Sequence, residues 1–194
     1  MILPEDWSVG IVLALIGNPD RWSLCLNQTN WKFGKSDVNV LVLAVVTERD
    51  RVPLMWTFLD HSGNSATQQR IALMQRYLAR FNASTVRMLL ADREFIGQEW
   101  FKFLKDKNIP FAIRMKEDQL VIVEGREYSL RSYLSRCKGE HGFTATLPAK
   151  AGQPALELHF GARRIKGGEL LRHPALNVNH VFAVCRLRRR REKR

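Results

Sequence analysis

The sequence predicts an α/β protein in which a mixed sheet with flanking helices is followed by a β-rich insertion subdomain. Its composition is globular, because 45% of the 194 residues are apolar and 26% are charged, in a chain long enough to bury a core. Up to Met115, segments typical of β-strands and segments with helical periodicity follow one another in the order βββαβαβ. Beyond Met115, short β-like runs separated by turns indicate antiparallel structure.

A helix and three strands are predicted first. The helix covers Asp6–Ile16, where apolar side chains recur at helical spacing up to the turn at Gly17. The strands cover Trp22–Leu26, Val38–Val46 and Val52–Phe58. Because the connections between them are tight, we expect the three strands to form a meander.

The most regular helix follows these strands. Ser65 and Gln68 have the spacing of a capping box, with Ser65 as the N-cap. The apolar residues that then share one helical face are Ile71, Met74, Leu78 and Phe81. A strand at Val86–Ala91, a helix at Gly97–Lys107 and a strand at Pro110–Ile113 complete the alternation.

The sequence changes in character after Met115. Strands are predicted over Leu120–Val123, Phe143–Leu147 and Leu156–Phe160, and no helical segment is predicted after them. From residue 172 onward there is no clear period. We therefore predict four segments: a helical lead-in over residues 1–21, a core over 22–116, a β-rich insertion over 117–171 and a basic, disordered tail over 172–194.

The positive charge is concentrated near the C-terminus. The chain has 31 Lys+Arg against 19 Asp+Glu, a formal charge of +12, and half of this charge lies from Arg186 onward. Such a run is either a solvated tail or an arm that binds phosphates. If it binds a polyanion, its affinity should fall steeply as salt rises.

Composition also excludes several classes of protein. No apolar run is long enough to cross a bilayer and no secretory signal is visible, so we expect a cytosolic protein. The cysteines Cys25, Cys137 and Cys185 are widely spaced and are expected to be reduced. Because neither zinc-ligand spacing nor a glycine-rich phosphate loop occurs, we expect no small-molecule cofactor.

Three polar residues follow predicted strands, at the place where open α/β sheets bind their ligands. They are Asn27, Asp60 and Asp92. Asp92 directly follows a buried strand and precedes a helix, and its alternative role is a helix N-cap. Asp60 lies in a turn rich in Asp, Gly and Asn, where backbone conformation alone favours these residues.

Several motifs resemble those of bacterial insertion-sequence transposases of the fourth family. They are the segments 26–34 (LNQTNWKFG), 53–65 (PLMW, LD and GNS) and 89–97 (LLADREFIG), and the segment 111–116 (FAIRMK) fits too. The resemblance runs from about Trp22 to Leu171. It implies a ribonuclease-H-like DDE core, interrupted by a β-rich insertion, that cuts and joins DNA at the ends of a mobile element.

The resemblance also implies a metal site. Such enzymes hold two divalent ions, Mg²⁺ or Mn²⁺, with three carboxylates that support an in-line displacement. The second carboxylate maps to Asp92, and the first maps to Asn27, where the family has aspartate. An amide carries no negative charge and cannot bridge two cations. The third is a glutamate in a Tyr-Arg-Glu-Lys pattern, which has no match between Arg172 and Arg194.

These departures predict an inactive copy of a transposase, truncated near Leu171 and continued in the wrong reading frame. Its expected partners are the DNA of the element's terminal repeats and a second copy of the chain, in the bacterial cytosol at the nucleoid. The alternatives are a non-catalytic DNA-binding remnant and a ribonuclease-H-like nuclease or resolvase, which would need a complete carboxylate set. The residues expected to contact phosphates are Lys32, Lys35, Arg93, Arg114, Lys116, Arg188, Arg189, Arg190 and Arg191.

Overall fold

The computed structural model describes residues 7–17, 19–34, 36–135, 140–150, 152–163 and 180–185. They belong to two compact units that divide between Pro110 and Phe111. The first unit combines a mixed sheet with helices, and the strands of the second unit are antiparallel. The predicted class, an α/β protein with a mixed sheet and a later β-rich part, is therefore confirmed.

The first unit alternates strands and helices. In chain order its elements are α1 (Trp7–Leu15), β1 (Trp22–Phe33), β2 (Ser36–Val46), β3 (Arg51–Leu59), α2 (Thr67–Arg80), β4 (Val86–Ala91) and α3 (Gln98–Asp106). Single 3₁₀ turns precede β4 and α3, at Ala83–Thr85 and Arg93–Phe95. The order βββαβα is the one that the sequence predicts for this part of the chain.

The sheet of the first unit has the strand order β3-β2-β1-β4. The first three strands form the predicted antiparallel meander. β4 lies on the other side of β1 and runs parallel to it, as far as the pair Leu26 and Ala91. A parallel neighbour requires a crossover connection, and α2 provides it between β3 and β4.

One face of this sheet is lined by buried leucine side chains. The strand side chains that are almost fully buried on it are Leu24, Leu26, Leu41, Leu43 and Leu89. The helices contribute Leu73, Met74 and Tyr77 from α2 and Trp100, Phe101 and Leu104 from α3. Each fully buried side chain of this size contributes about 1.5–3 kcal/mol, so this layer is the main source of the unit's stability.

The described residues of the second unit form six strands and one short helix. They are β5 (Phe111–Arg114), β6 (Leu120–Val123), β7 (Arg126–Ser129), α4 (Leu130–Leu134), β8 (Glu140–Leu147), β9 (Leu156–Arg163) and β10 (His180–Cys185). The strands follow the order β5-β10-β9-β8-β6-β7. Because β5 pairs with β10, the unit begins at Phe111, which lies before the predicted boundary after residue 116.

The predicted helix at α2 exists, but its cap and its buried face are displaced. The N-cap is Ala66 rather than Ser65, and Gln69 Oε1 accepts the Ala66 N–H at 2.7 Å in place of Gln68. The buried residues are Arg70, Leu73, Met74 and Tyr77. The shift has a physical reason, because the Ser65 hydroxyl accepts a bond from Arg70 and does not cap the helix.

The strands and short elements show the other differences. β1 continues to Phe33, because its pairing with β2 extends past the predicted end at Leu26. The apolar positions predicted to share one face of α1 include Ile11, Val12 and Leu15. Of these, Val12 is buried, but Ile11 is 50% exposed and Leu15 is 74% exposed, and Val9, which is not on that predicted face, is buried. β7 and α4 were not predicted, because four or five residues are too few for a periodic signal.

Residues His180–Cys185 form a strand inside the segment that was predicted to be a disordered basic tail. β10 pairs with β5 on one side and β9 on the other, so its backbone groups find partners distant in sequence. Local periodicity does not report such pairing. The remainder of that segment, 172–179 and 186–194 with Arg188, Arg189, Arg190 and Arg191, lies outside the described residues.

We expect a Tyr77→Phe variant to lose less stability at alkaline pH than the wild-type chain. Burial raises the pKa of Tyr77 to about 12, although the hydrogen bond between its hydroxyl and Thr85 Oγ1, at 2.7 Å, acts to lower the pKa. In the unfolded chain the phenol ionises near pH 10, so between about pH 10 and 12 ionisation favours unfolding, by up to ~2.7 kcal/mol. Urea unfolding at pH 8, 10 and 11 gives the free energy of unfolding of the two chains. If this free energy falls equally with pH in both chains, the prediction is contradicted.

Candidate functional site

Asn27 and Asp92 occupy neighbouring positions on adjacent parallel strands. The last residue pair between β1 and β4 is Leu26 with Ala91, and Asn27 and Asp92 are the next residue of each strand. Adjacent strands lie about 4.8 Å apart, so the two backbones are within reach of a shared ligand. The structure therefore brings together the two residues that the resemblance assigns to the first and second carboxylate positions.

Both side chains are exposed and point to the same side of the sheet. Side chains alternate along a strand, so Asn27 shares a face with Cys25, and Asp92 shares it with Leu90. Asn27 does not end its strand as the sequence suggested, because β1 continues beyond it beside β2. β4 ends at Ala91, so its backbone pairing with β1 stops before Asn27.

Asp92 also has a structural role. It is the N-cap of the 3₁₀ turn Arg93–Phe95, and its Oδ1 accepts the Arg93 N–H at 2.7 Å. Its carbonyl oxygen accepts the Phe95 N–H at 3.0 Å. The N-cap alternative considered from the sequence thus describes a real contact, and one carboxylate oxygen is already engaged with the backbone.

Glu94 is a second carboxylate close to Asp92, and sequence analysis did not single it out. Burial raises the pKa of the Glu94 carboxyl, the negative charge of Asp92 raises it further, and the guanidinium of Arg70 opposes both. The turn places Glu94 beside Asp92, which lies two residues earlier in the chain. The only signal in the sequence was this spacing, which is common in turns and has no specificity by itself.

Cys25 does not add a reactive group to this face. Its side chain is 8% exposed, and burial raises the pKa of the thiol while the charge of Arg51 opposes the shift. A thiol with a raised pKa stays protonated at neutral pH, and it is then a poor nucleophile and a poor metal ligand. The thiol is free, as the sequence predicts.

Asp60 lies in an exposed turn directly after β3 and is not part of the pair formed by Asn27 and Asp92. The backbone of this turn is held from the neighbouring strands: Asn39 Nδ2 donates to the carbonyl oxygens of His61 at 3.0 Å and Gly63 at 2.9 Å. Gly63 has a φ of 89°, a conformation that favours glycine. The turn interpretation of Asp60 agrees with this geometry.

The described basic residues that are predicted to contact DNA lie on both units. Arg93 follows Asp92 directly and is exposed. Lys32 is exposed on β1, five residues beyond Asn27, which corresponds to about 16 Å along the strand, and on the opposite face. Arg114, half-buried at the end of β5, and the exposed Lys116 belong to the second unit. Lys35 lies outside the described residues.

The described residues do not provide the two-ion site that the resemblance implies. Among them, no group of three or more His, Cys, Asp or Glu side chains could hold a metal ion. At the position itself there is one carboxylate, from Asp92, and one amide, from Asn27. Divalent magnesium relies on charged oxygen ligands, and this donor set does not fit a pair of such ions.

We predict that Asp92→Ala destabilises the chain by about 1 kcal/mol, because the 3₁₀ turn loses its cap. Asp92→Asn should retain most of this stability, since its amide oxygen can still accept the Arg93 N–H. Denaturant unfolding of the three chains measures the difference. Equal stability of the alanine and wild-type chains would show that the cap contributes nothing.

No match to this chain is found among models of known protein families or among curated proteins. No helix in the described ranges is long and apolar enough to cross a membrane.

Proposed function

We propose that this chain is a copy of a DDE-type insertion-sequence transposase that binds DNA and has lost strand cleavage. One observation carries the proposal. Asn27 and Asp92, which match the first two carboxylate positions of the family's motifs, are 65 residues apart in sequence and adjacent at the end of the β1–β4 pairing. An unrelated sequence has no reason to place these two motif positions side by side.

The topology of the first unit supports a ribonuclease-H-like core. Such a core needs a three-stranded meander whose first strand is flanked by a parallel strand, and the order β3-β2-β1-β4 provides this arrangement. The antiparallel second unit begins after Pro110, close to where the motifs place the β-rich insertion. The proposal therefore rests on the motifs and the register together, and the topology alone would fit other functions.

The chemistry of the site supports the loss of cleavage. Hydrolysis or transfer of a phosphodiester by this class of enzyme requires carboxylates that neutralise two cations. Asp92 is the one residue of the matched pair that carries charge. With an amide at residue 27, the chain's own groups can bind and orient polar atoms at this edge of the sheet, but they do not supply the charge for a two-ion site.

DNA is the proposed ligand, because exposed basic residues are available on both units. Lys32 and Arg93 are exposed on the first unit and Lys116 on the second. Contacts of this kind bind phosphates without reading sequence, and their affinity depends on salt. In this proposal the chain acts in the bacterial cytosol at the nucleoid, as a dimer that brings two element ends together.

A second candidate, a DNA-binding remnant with no metal chemistry, is favoured by one observation. The Asp92 carboxylate is already bonded to the Arg93 N–H, as a purely structural cap would be. The two candidates differ in what a restored carboxylate at residue 27 does. In a degenerate transposase it should recreate part of a cation site, whereas in a remnant it should add only a surface charge.

We expect Asn27→Asp to tighten Mn²⁺ binding at least tenfold relative to the wild-type chain. The new carboxylate would lie beside Asp92 and attract the same cation. An attraction between two unit charges 4 Å apart is about 4 kcal/mol near a protein surface, and ~1.4 kcal/mol of additional binding free energy is enough for a factor of ten in affinity. Mn²⁺ binding is measured by electron paramagnetic resonance of the free ion.

The matched control is Asn30→Asp, which makes the same chemical change three residues further along β1, on its opposite face. It should leave Mn²⁺ affinity within about twofold of wild type. Adding Asp92→Asn to Asn27→Asp should abolish the gain. If Asn30→Asp tightens binding as much as Asn27→Asp, the effect is one of net charge and the transposase proposal fails.

The wild-type chain should bind duplex DNA and leave it uncut. Its affinity should fall at least tenfold between 50 and 200 mM salt, as expected when several phosphates are neutralised. Gel shift and supercoiled-plasmid relaxation with Mg²⁺ or Mn²⁺ measure binding and nicking. Nicking that disappears in Asp92→Asn would contradict the loss of cleavage, and salt-independent binding would contradict phosphate recognition.

A further inference from the structure

Backbone pairing between β1 and β4 ends at Leu26 and Ala91, one residue before the candidate site. The register brings Asn27 and Asp92 together, but holding Asp92 in place beyond the last pair also depends on contacts outside the sheet ladder. We propose that Arg70 is a positioning residue, which holds the turn after β4 and, through Ser65 and Gln28, fixes it to β1. The consequence of this positioning for DNA chemistry rests on the proposed function, whereas the geometric role of Arg70 does not depend on it.

Arg70 joins the beginning of α2 to the turn that contains Asp92. The residue is only 5% exposed, and its Nε donates to Ser65 Oγ at 3.0 Å. Its Nη2 donates to the Ser65 carbonyl oxygen and, at 3.1 Å, to the Glu94 carbonyl oxygen. The guanidinium also lies 5.1 Å from the ring centre of Phe95. Two of the three residues of the Arg93–Phe95 turn thus contact this one side chain.

Ser65 continues the connection to β1. Its backbone N–H donates to Gln28 Oε1 at 2.7 Å, and Gln28 Nε2 donates to the Gly63 carbonyl oxygen. Gln28 directly follows Asn27. A continuous series of hydrogen bonds therefore runs from the residue after Asn27, through Ser65 and Arg70, to the turn capped by Asp92.

An arginine suits this role for a geometric reason. The bonded atoms of Ser65 and Glu94 are uncharged acceptors, so the interaction is not a simple ion pair. Burial lowers the pKa of Arg70, and the negative charge of Glu94 opposes the shift. Only a planar guanidinium presents several donors in a fixed fork that reaches both segments at once. A lysine would keep the charge and lose the fork.

The test compares Arg70→Lys with Arg76→Lys by amide hydrogen exchange. Arg76 is on the same helix, and its Nη1 donates to the Trp56 carbonyl oxygen and to Thr57 Oγ1 on β3. The reporter is the Phe95 N–H, which bonds to the Asp92 carbonyl oxygen at 3.0 Å, and the reference is the Leu89 N–H, which bonds to the Pro110 carbonyl oxygen at 2.7 Å.

Arg70→Lys should speed exchange at Phe95 at least tenfold and leave exchange at Leu89 within about threefold of wild type. Arg76→Lys should leave both amides within about threefold. If Arg70→Lys speeds exchange at both amides equally, Arg70 supports the whole unit and the positioning role is wrong. Unchanged exchange at Phe95 would also overturn it.

A second measurement separates this inference from the proposed function. In the Asn27→Asp background, Arg70→Lys should weaken Mn²⁺ binding about tenfold, whereas Arg76→Lys should not change it. If Asn27→Asp binds no Mn²⁺ at all, the proposed function fails, and the exchange result alone decides the role of Arg70. If Asn27→Asp binds Mn²⁺ and Arg70→Lys leaves that binding unchanged, the positioning role fails while the proposed function stands.

Discussion

The parallel pairing of β1 with β4 is the constraint on which the candidate site depends. It aligns Leu26 with Ala91 and so places the next residues, Asn27 and Asp92, beside each other. A register shift of one residue would send one of the two side chains to the opposite face of the sheet. The buried apolar pairs that precede them hold this register, because slipping would expose them.

The site also shows why asparagine at residue 27 is compatible with a stable chain. An aspartate there would place its charge beside Asp92 and near Glu94, whose pKa is already raised by burial and by Asp92. Carboxylates gathered without a cation repel one another, and this cost falls on the folded state. The amide of Asn27 avoids the repulsion, and the Asp92 carboxylate is stabilised by its bond to the Arg93 N–H.

Much of the first unit could be predicted from sequence, because its strands and helices carry strong periodic signals. β4 was predicted with its observed bounds, and Asn27 and Asp92 were both singled out. The contacts that arise only in three dimensions were missed. Arg70 occupies the buried face of α2, where a charged residue is a weak signal until its partners are known. β10 was missed for a similar reason, since its partners β5 and β9 are distant in sequence.

Residues 27 and 92 should lie close enough together to be joined by a disulfide. Neighbouring strands lie about 4.8 Å apart, within the roughly 4.4–6.8 Å between Cα atoms that a disulfide spans. Under mild oxidation, the Asn27→Cys/Asp92→Cys chain should form a cross-link between these residues, identified by peptide mass spectrometry, whereas Asn30→Cys/Asp92→Cys should not. A cross-link in the second chain and not in the first would contradict the observed register of β1 and β4.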